Sequence, residues 1–264
     1  MDHNNTSMTL KKTWVTLGIW LLGIIILHFL SHLLHFKISV LNMIGSNLLI
    51  LGLILLINYF YTKEKIYFEW LDFKRFGWLS LFMVLYIVGA NALFITVPSE
   101  ISLQISREPT FWLFYTLSTA VIPIVTFFGV LLPSMLHHWQ TNHLLLKSVI
   151  LSSFLYSIFQ ILLLNELWGG ILEALYQLSA NFCLGLICAF LYLRTVNIMV
   201  PIFFSFIETF IVLILSNIRP LWGNGIFNII FFGIFALLIL KSMLTSSKIA
   251  QIQQNFNIKK EISF

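Results

Sequence analysis

Glu208 is the residue of this 264-residue chain best placed to do chemistry. It stands near the middle of an apolar run over 197–218, where a charged side chain costs roughly 2.5 to 3.5 kcal/mol on insertion scales. It must therefore be protonated, paired or functional. Ser205, three residues earlier, and Thr209 neighbour it, and Asn181 and Glu173 supply further polar groups from another run. A carboxyl in such company could bind a ligand, contact a partner or act as a displaced general base. The plainer reading is a neutral, hydrogen-bonded structural acid. His28, His32 and His35 recur at i, i+4 and i+7, a spacing that suits a metal ion or a pH sensor, against a plainer reading as an interfacial polar stripe. His137, His138 and His143 crowd one short connection and read as a headgroup-facing loop. No H-E-x-x-H occurs, which excludes a zincin. Cys183 and Cys188 would lie about 140° apart on a helix, which argues against an intrahelical disulfide or metal pair and for small packing residues. With the plainer readings taken for the histidines and cysteines, no metal or other cofactor is expected.

The elements that must position these groups are membrane spans. The chain is 59% apolar and 9% charged, with a mean hydropathy of +0.95, a composition that excludes a water-soluble globular domain. Crossing a hydrocarbon core takes about 20 apolar residues. Eight such runs are present, at 13–34, 38–60, 77–97, 111–136, 145–165, 170–193, 197–218 and 222–243. The predicted architecture is an all-α, polytopic bundle of about eight transmembrane helices forming one domain over 1–264. The first run is long and lacks an A-x-A-like cleavage site, so it reads as a span and not as a removable signal. Eight spans put both termini on one side, and 12 of the 15 Lys and Arg residues fall on that side, with Lys37, Arg107 and Arg219 on the other. The positive-inside rule then makes both termini cytoplasmic in a multi-pass protein of the cell membrane. The net charge of +5 follows from this orientation without nucleic acid, and anionic lipid is the expected counter-charge. Trp14, Trp78, Trp112, Trp139, Trp168 and Trp222 sit at or near span ends, as interfacial anchors should. The loop 98–109 has turn character, and the polar tail 246–264 reads as a loose helix or disordered end.

Three segments of the second half form a series. Pro123-Ile124-Val125-Thr126-Phe127-Phe128-Gly129 is followed by Ser152-Ser153-Phe154-Leu155-Tyr156-Ser157-Ile158-Phe159-Gln160. Then come Gly185-Leu186-Ile187-Cys188-Ala189-Phe190-Leu191-Tyr192-Leu193-Arg194-Thr195 and Met199-Val200-Pro201-Ile202, leading to Ser205 and Thr209. Gly185 and Ala189 make a small-xxx-small face for close helix approach. Arg194 ends its span, and Pro201 sits near the first turn of the next helix, where a missing N–H is tolerated. In order, spacing and flavour the series resembles the CAAX protease and bacteriocin-processing (CPBP) family of glutamate intramembrane proteases, over about 120–215.

The resemblance implies a site built from a Glu-Glu-x-x-x-Arg helix, a Phe-x-x-x-His helix and a His-x-x-x-Asn/Asp helix, in which a glutamate activates water held by histidines in a cavity open to the cytoplasm. Carried over position by position, the paired glutamates fall on Pro123 and Ile124 and the arginine on Phe128. The second motif keeps an aromatic as Tyr156 but has Gln160 for its histidine, and the third has Ser205 and Thr209 for its histidine and Asn/Asp. No Asp or Glu occurs between Glu108 and Glu166, so no shift of register restores the first motif. Glu208, with Gln160 and Asn181, is left as the polar lining of the cavity that the family would use.

The expected function is that of a non-catalytic member of this family. Because some members protect bacteriocin producers from their own peptide, the resemblance implies self-immunity or a membrane-resident binding role, with a bacteriocin peptide or a membrane protein as partner beside the lipid bilayer. Two other readings stay open. One is a working intramembrane peptidase that uses Glu208 and Gln160, and the other is a membrane scaffold subunit. Usage rich in Ile, Phe, Lys and Asn fits an AT-rich Gram-positive genome.

Overall fold

The computed structural model describes residues 14, 15, 18, 40–68, 109–138, 144–164, 171–215, 225–243 and 252. Among them the regular structure is helical throughout, with no strand. The runs expected at 13–34 and 77–97, the loop 98–109, the His28, His32 and His35 stripe, and the tail lie outside the described residues, apart from single positions. So do the side chains of His137, His138, His143 and Glu173.

Helix α1 covers Val40–Ile57, and its apolar sequence gives way to a single wide turn at Asn58–Thr62. There the Lys63 N–H reaches the Asn58 carbonyl five residues back at 2.6 Å, and Lys63 takes the left-handed conformation at φ 55°. The chain then runs without helix from Lys63 to Phe68.

Helix α2 covers Pro109–Pro123 and opens on a proline, whose fixed φ suits the first helical position. Over Ile124–Leu131 the helix widens to i→i+5 hydrogen bonding, and α3 continues as Leu132–His138. Pro123 and Pro133 bracket the widened stretch. Each lacks the N–H that would bond the preceding turn, and each ring crowds the carbonyl four residues back. The regular ladder is thus broken at both edges, and a π-type register accommodates the break.

Helices α4 (Leu144–Leu164), α5 (Ile171–Thr195), α6 (Met199–Leu215) and α7 (Gly225–Met243) follow. α5 lies at the centre, packed on α4, α6 and α7, while α2 packs between α1 and α6. α4 and α5 run antiparallel at contact distance. A Cβ added to Gly185 would lie 3.1 Å from Cα, Cβ and the carbonyl oxygen of Ser153, closer than ordinary van der Waals contact, so the helices approach most readily with glycine here. Farther along the same pair, the Ser157 hydroxyl donates to the Leu178 carbonyl at 2.6 Å, and between α1 and α2 the Asn47 amide donates to the Ser118 hydroxyl at 3.0 Å. Small residues and interhelical polar bonds of this kind hold helices together where no hydrophobic drive separates protein from solvent.

The core is apolar, but it also takes in hydroxyl side chains, and large apolar side chains stand exposed on the outside. Ser152, Ser153, Ser157, Thr116 and Ser205 are fully buried, whereas Leu49, Tyr59 and Leu237 are 68%, 74% and 67% exposed. Buried hydroxyls such as those of Thr116 and Thr126 are met by carbonyls of their own helix, Thr126 by Ile122 at 2.8 Å. Two helices among the described residues are long and apolar enough to cross a membrane, Trp112–Leu136 and Gln177–Thr195.

Candidate functional site

The site is built outward from Tyr156 on α4. Its side chain is completely buried, edge-on to Phe127 at 6.3 Å and tilted on Phe128 at 5.5 Å between ring centroids. Both phenylalanines belong to the widened stretch of the preceding helix. Gln160 stands one turn further along α4, the i+4 neighbour on the same face, and its Nε2 donates to the Tyr156 hydroxyl at 3.1 Å.

Two other helices close on the same hydroxyl. Ser205 of α6 places its own hydroxyl beside that of Tyr156, short of good hydrogen-bond geometry. Glu208, three residues on and therefore on the same face of α6, lies within electrostatic range of the Tyr156 hydroxyl, as does Cys188 of α5. Cys188 and Glu208 are also within range of one another.

Local sequence explains why α5 and α6 present these groups together. The link between the helices is short and tied by side chains. The Thr195 hydroxyl donates to the Leu191 carbonyl at 2.7 Å and accepts the Asn197 N–H at 3.3 Å. The Asn197 Oδ1 accepts the Met199 N–H at 3.0 Å, capping one of the orphan donors that begin α6. Val196, between them, sits at φ 52°, a conformation that a β-branched residue adopts only when its surroundings impose it.

The remaining residues singled out by sequence are placed as follows. Pro123 ends α2, and Ile124 and Phe128 are fully buried in the apolar core, Phe128 directly against Tyr156. Thr209 is half-buried on α6. Asn181 is on α5, one turn before Gly185, and its amide nitrogen has no hydrogen-bond partner among the described residues. Tyr156, Gln160, Ser205 and Glu208 are thus brought together, and among the described residues no hydrogen bond joins the Asn181 amide nitrogen to them.

Cys188 is the member that sequence reasoning passed over as a packing residue. The signal available was its position three residues beyond Gly185, on the face turned to α4 by the close approach. Asn58 and Tyr192, which organise the end of the bundle nearest the α5–α6 link, were also missed.

Chemically the cluster offers a phenol, a carboxamide, an alcohol, a thiol and one carboxyl. Water activation of the kind that the family resemblance implies needs a carboxylate and an imidazole within reach of one water. The groups described around Tyr156 include the Glu208 carboxyl, and no set of three or more His, Cys, Asp or Glu that could hold a metal ion occurs among the described residues. Comparison with protein-family models, with curated proteins and with solved structures returns no match.

Proposed function

We propose that this chain is a multi-pass protein of the cell membrane, with eight spans and both termini cytoplasmic. In this reading its 120–215 region is a CPBP-like core that binds a peptide or membrane partner without cleaving it, in a bacteriocin self-immunity role. The observation that carries the reading is the packing of Phe128 on Tyr156, with Ile124 fully buried beside it. Where the resemblance calls for a carboxylate and an arginine, the chain has apolar groups sealed into the core. The groups described around Tyr156 can recognise a ligand through hydrogen bonds.

The membrane part of the reading is supported by the exposed apolar faces of α1 and α7. Leu48, Leu49, Leu53 and Leu56 line one, and Ile230, Ile234, Leu237 and Leu238 the other; contiguous apolar surface of this kind is rare on soluble monomers. Exposed Lys63, Lys65, Lys147, Arg194 and Lys241 stand at α1, α4, α5 and α7 ends that the chain order assigns to a single end of the bundle. Anionic lipid headgroups are the partner that suits them.

The position of Glu208 within range of both Tyr156 and Cys188 favours one second reading, a peptidase that uses Glu208 with Gln160. Purified protein offered prenylated and leader-peptide substrates separates the two. No cleavage above a denatured control is expected; turnover abolished by Glu208→Gln would establish the peptidase. In cells, Glu208→Gln and Glu208→Leu should both lower bacteriocin tolerance, while only the leucine variant, which strands polar neighbours at about 1 to 3 kcal/mol, lowers the thermal midpoint. Tolerance unchanged in both variants would overturn the immunity role and leave a scaffold subunit.

A further inference from the structure

The segment Lys63–Phe68 is fixed to the bundle at two points. At its root, the buried Asn58 side chain grips the turn with both ends of its amide: Nδ2 donates to the Glu64 carbonyl at 2.9 Å, and Oδ1 accepts the Glu64 N–H at 3.1 Å. The Thr62 hydroxyl donates to the same Oδ1. At its far end, the Tyr67 carbonyl accepts the Ile198 N–H at 2.9 Å, in the link between α5 and α6. The Tyr192 hydroxyl lies beside the Tyr67 backbone, and Ile66 and Ile198 both lie over Gly129 of the widened stretch, at 3.7 and 3.5 Å from the position its Cβ would take.

Each of these docking points stands on or beside a helix or stretch that carries a member of the Tyr156 cluster. Gly129 follows Phe128, Tyr192 is one turn beyond Cys188, and Ile198 precedes Ser205 by seven residues, about 10 Å along α6 at 1.5 Å per residue. The segment therefore lies against the widened stretch and the α5–α6 link, at the end of the bundle at which α5 passes to α6. Helices keep their backbone bonds within themselves when they move, but this segment is non-helical, and a backbone hydrogen bond from Ile198 to Tyr67 ties it to the α5–α6 link. The segment's root at Lys63 and the link residue Val196 both have positive φ, at 55° and 52°, sparsely populated conformations that the surroundings must impose.

We infer that residues 63–68 form a strap that gates access to the Tyr156 cluster. The strap hinges at Lys63, is latched by the Tyr67–Ile198 bond and is held down by the Asn58 clamp. A ligand of the cluster enters from the α5–α6 end when the latch opens. The inference deepens the binding role proposed above and rests on it for the ligand, but not for the gate.

Cys188 serves as a built-in reporter, since it is completely buried next to the cluster, and Cys183, equally buried, is the control. In full-length protein, N-ethylmaleimide modification of each thiol is followed by mass spectrometry. Asn58→Ala should raise the Cys188 rate about tenfold, the effect of weakening the clamp by about 1.4 kcal/mol, with Cys183 unchanged. A Tyr67→Cys/Ile198→Cys pair sits across a backbone bond that brings the two Cα atoms to about 5 Å, within disulfide range. Once oxidised it should slow Cys188 below the native rate, and reduction should restore it. Cys188 indifferent to both changes, or Cys183 and Cys188 rising together as the whole bundle loosens, would overturn the gate. A strap that gates Cys188 in a protein whose Glu208 variants keep full bacteriocin tolerance would sink the immunity reading alone.

Discussion

Two polar assemblies in this molecule are wired in opposite ways. Around Asn58, both ends of one carboxamide are engaged, by the Glu64 N–H, the Glu64 carbonyl and the Thr62 hydroxyl, and the next backbone N–H closes on Asn58 itself. Around Tyr156, one well-formed bond from Gln160 is surrounded by a serine hydroxyl short of bonding geometry, a thiol and a carboxyl. Buried polar groups are ordinarily satisfied, and an exception asks for an explanation. The first assembly explains itself as structure: it ends a helix and fixes the direction in which the chain leaves. In the second, the buried Ser205 hydroxyl is left without a well-formed bond, and the proposed binding role is a reading of that exception.

The contrast depends on α4 and α5 staying in contact, and the largest effect is expected where that contact is broken. Gly185→Ala would set a methyl 3.1 Å from three Ser153 atoms, two of them backbone, with no flexible side-chain end to give way. Overpacking of this kind costs about 2 kcal/mol, and a matching drop should appear in the thermal midpoint of the detergent-solubilised protein. Cys188, three residues along the same face, should become more reactive to maleimide in this variant together with Cys183. A midpoint unchanged in Gly185→Ala would mean that the two helices have room to part, and that the Tyr156 cluster is less firmly assembled than its distances imply.

An intermediate effect belongs to the Asn58 clamp. Asn58→Ala removes two bonds to Glu64 and one from Thr62. The strap can lift and let water meet the freed groups, so the loss is expected at about 1.4 kcal/mol, well below the sum for three unsatisfied partners. Thermal denaturation checks this. A cost of about 3 kcal/mol or more would show that the strap cannot open and that the groups stay buried and unmet.

How far these assemblies are legible in sequence differs for a physical reason. The helices over 40–57, 109–138, 144–164, 171–195, 199–215 and 225–243 coincide within a few residues with apolar runs read directly from the chain, because a run of that length leaves the backbone no partner but itself. Glu208 could be singled out because a charged residue inside an apolar run is costly and so conspicuous, whereas Tyr156, Gln160 and Ser205 are marked only by the motif positions of the family that the sequence resembles. The widened stretch at 124–131 was not legible. Pro123 and Pro133 announce a disturbance there but not its sense, since a kink and a π-type register answer the same missing N–H. Nor was the Asn58 clamp, because an asparagine at the end of an apolar run looks like any boundary residue until the chain after it is seen to turn back. The docking of residue 67 on residue 198 joins positions far apart in sequence through backbone atoms, which carry no side-chain signature at all.

The smallest expected effect is the sharpest test of the comparison. Ser205 is fully buried, and its hydroxyl makes no well-formed hydrogen bond. Removing a hydroxyl that has a partner costs about 1 kcal/mol, but removing one already unsatisfied leaves no new orphan and takes a polar atom out of a dry interior. Ser205→Ala should therefore leave the thermal midpoint where it is or raise it slightly, within about 0.5 kcal/mol of the native protein. If the spare hydroxyl is there for a ligand, the same variant should lose bacteriocin tolerance while keeping its stability, a separation that no purely structural role produces. A clear loss of stability in Ser205→Ala would show instead that the Tyr156 and Ser205 hydroxyls are bonded to each other. The cluster would then be as fully wired as the Asn58 turn, and its claim to bind anything would rest on Glu208 alone.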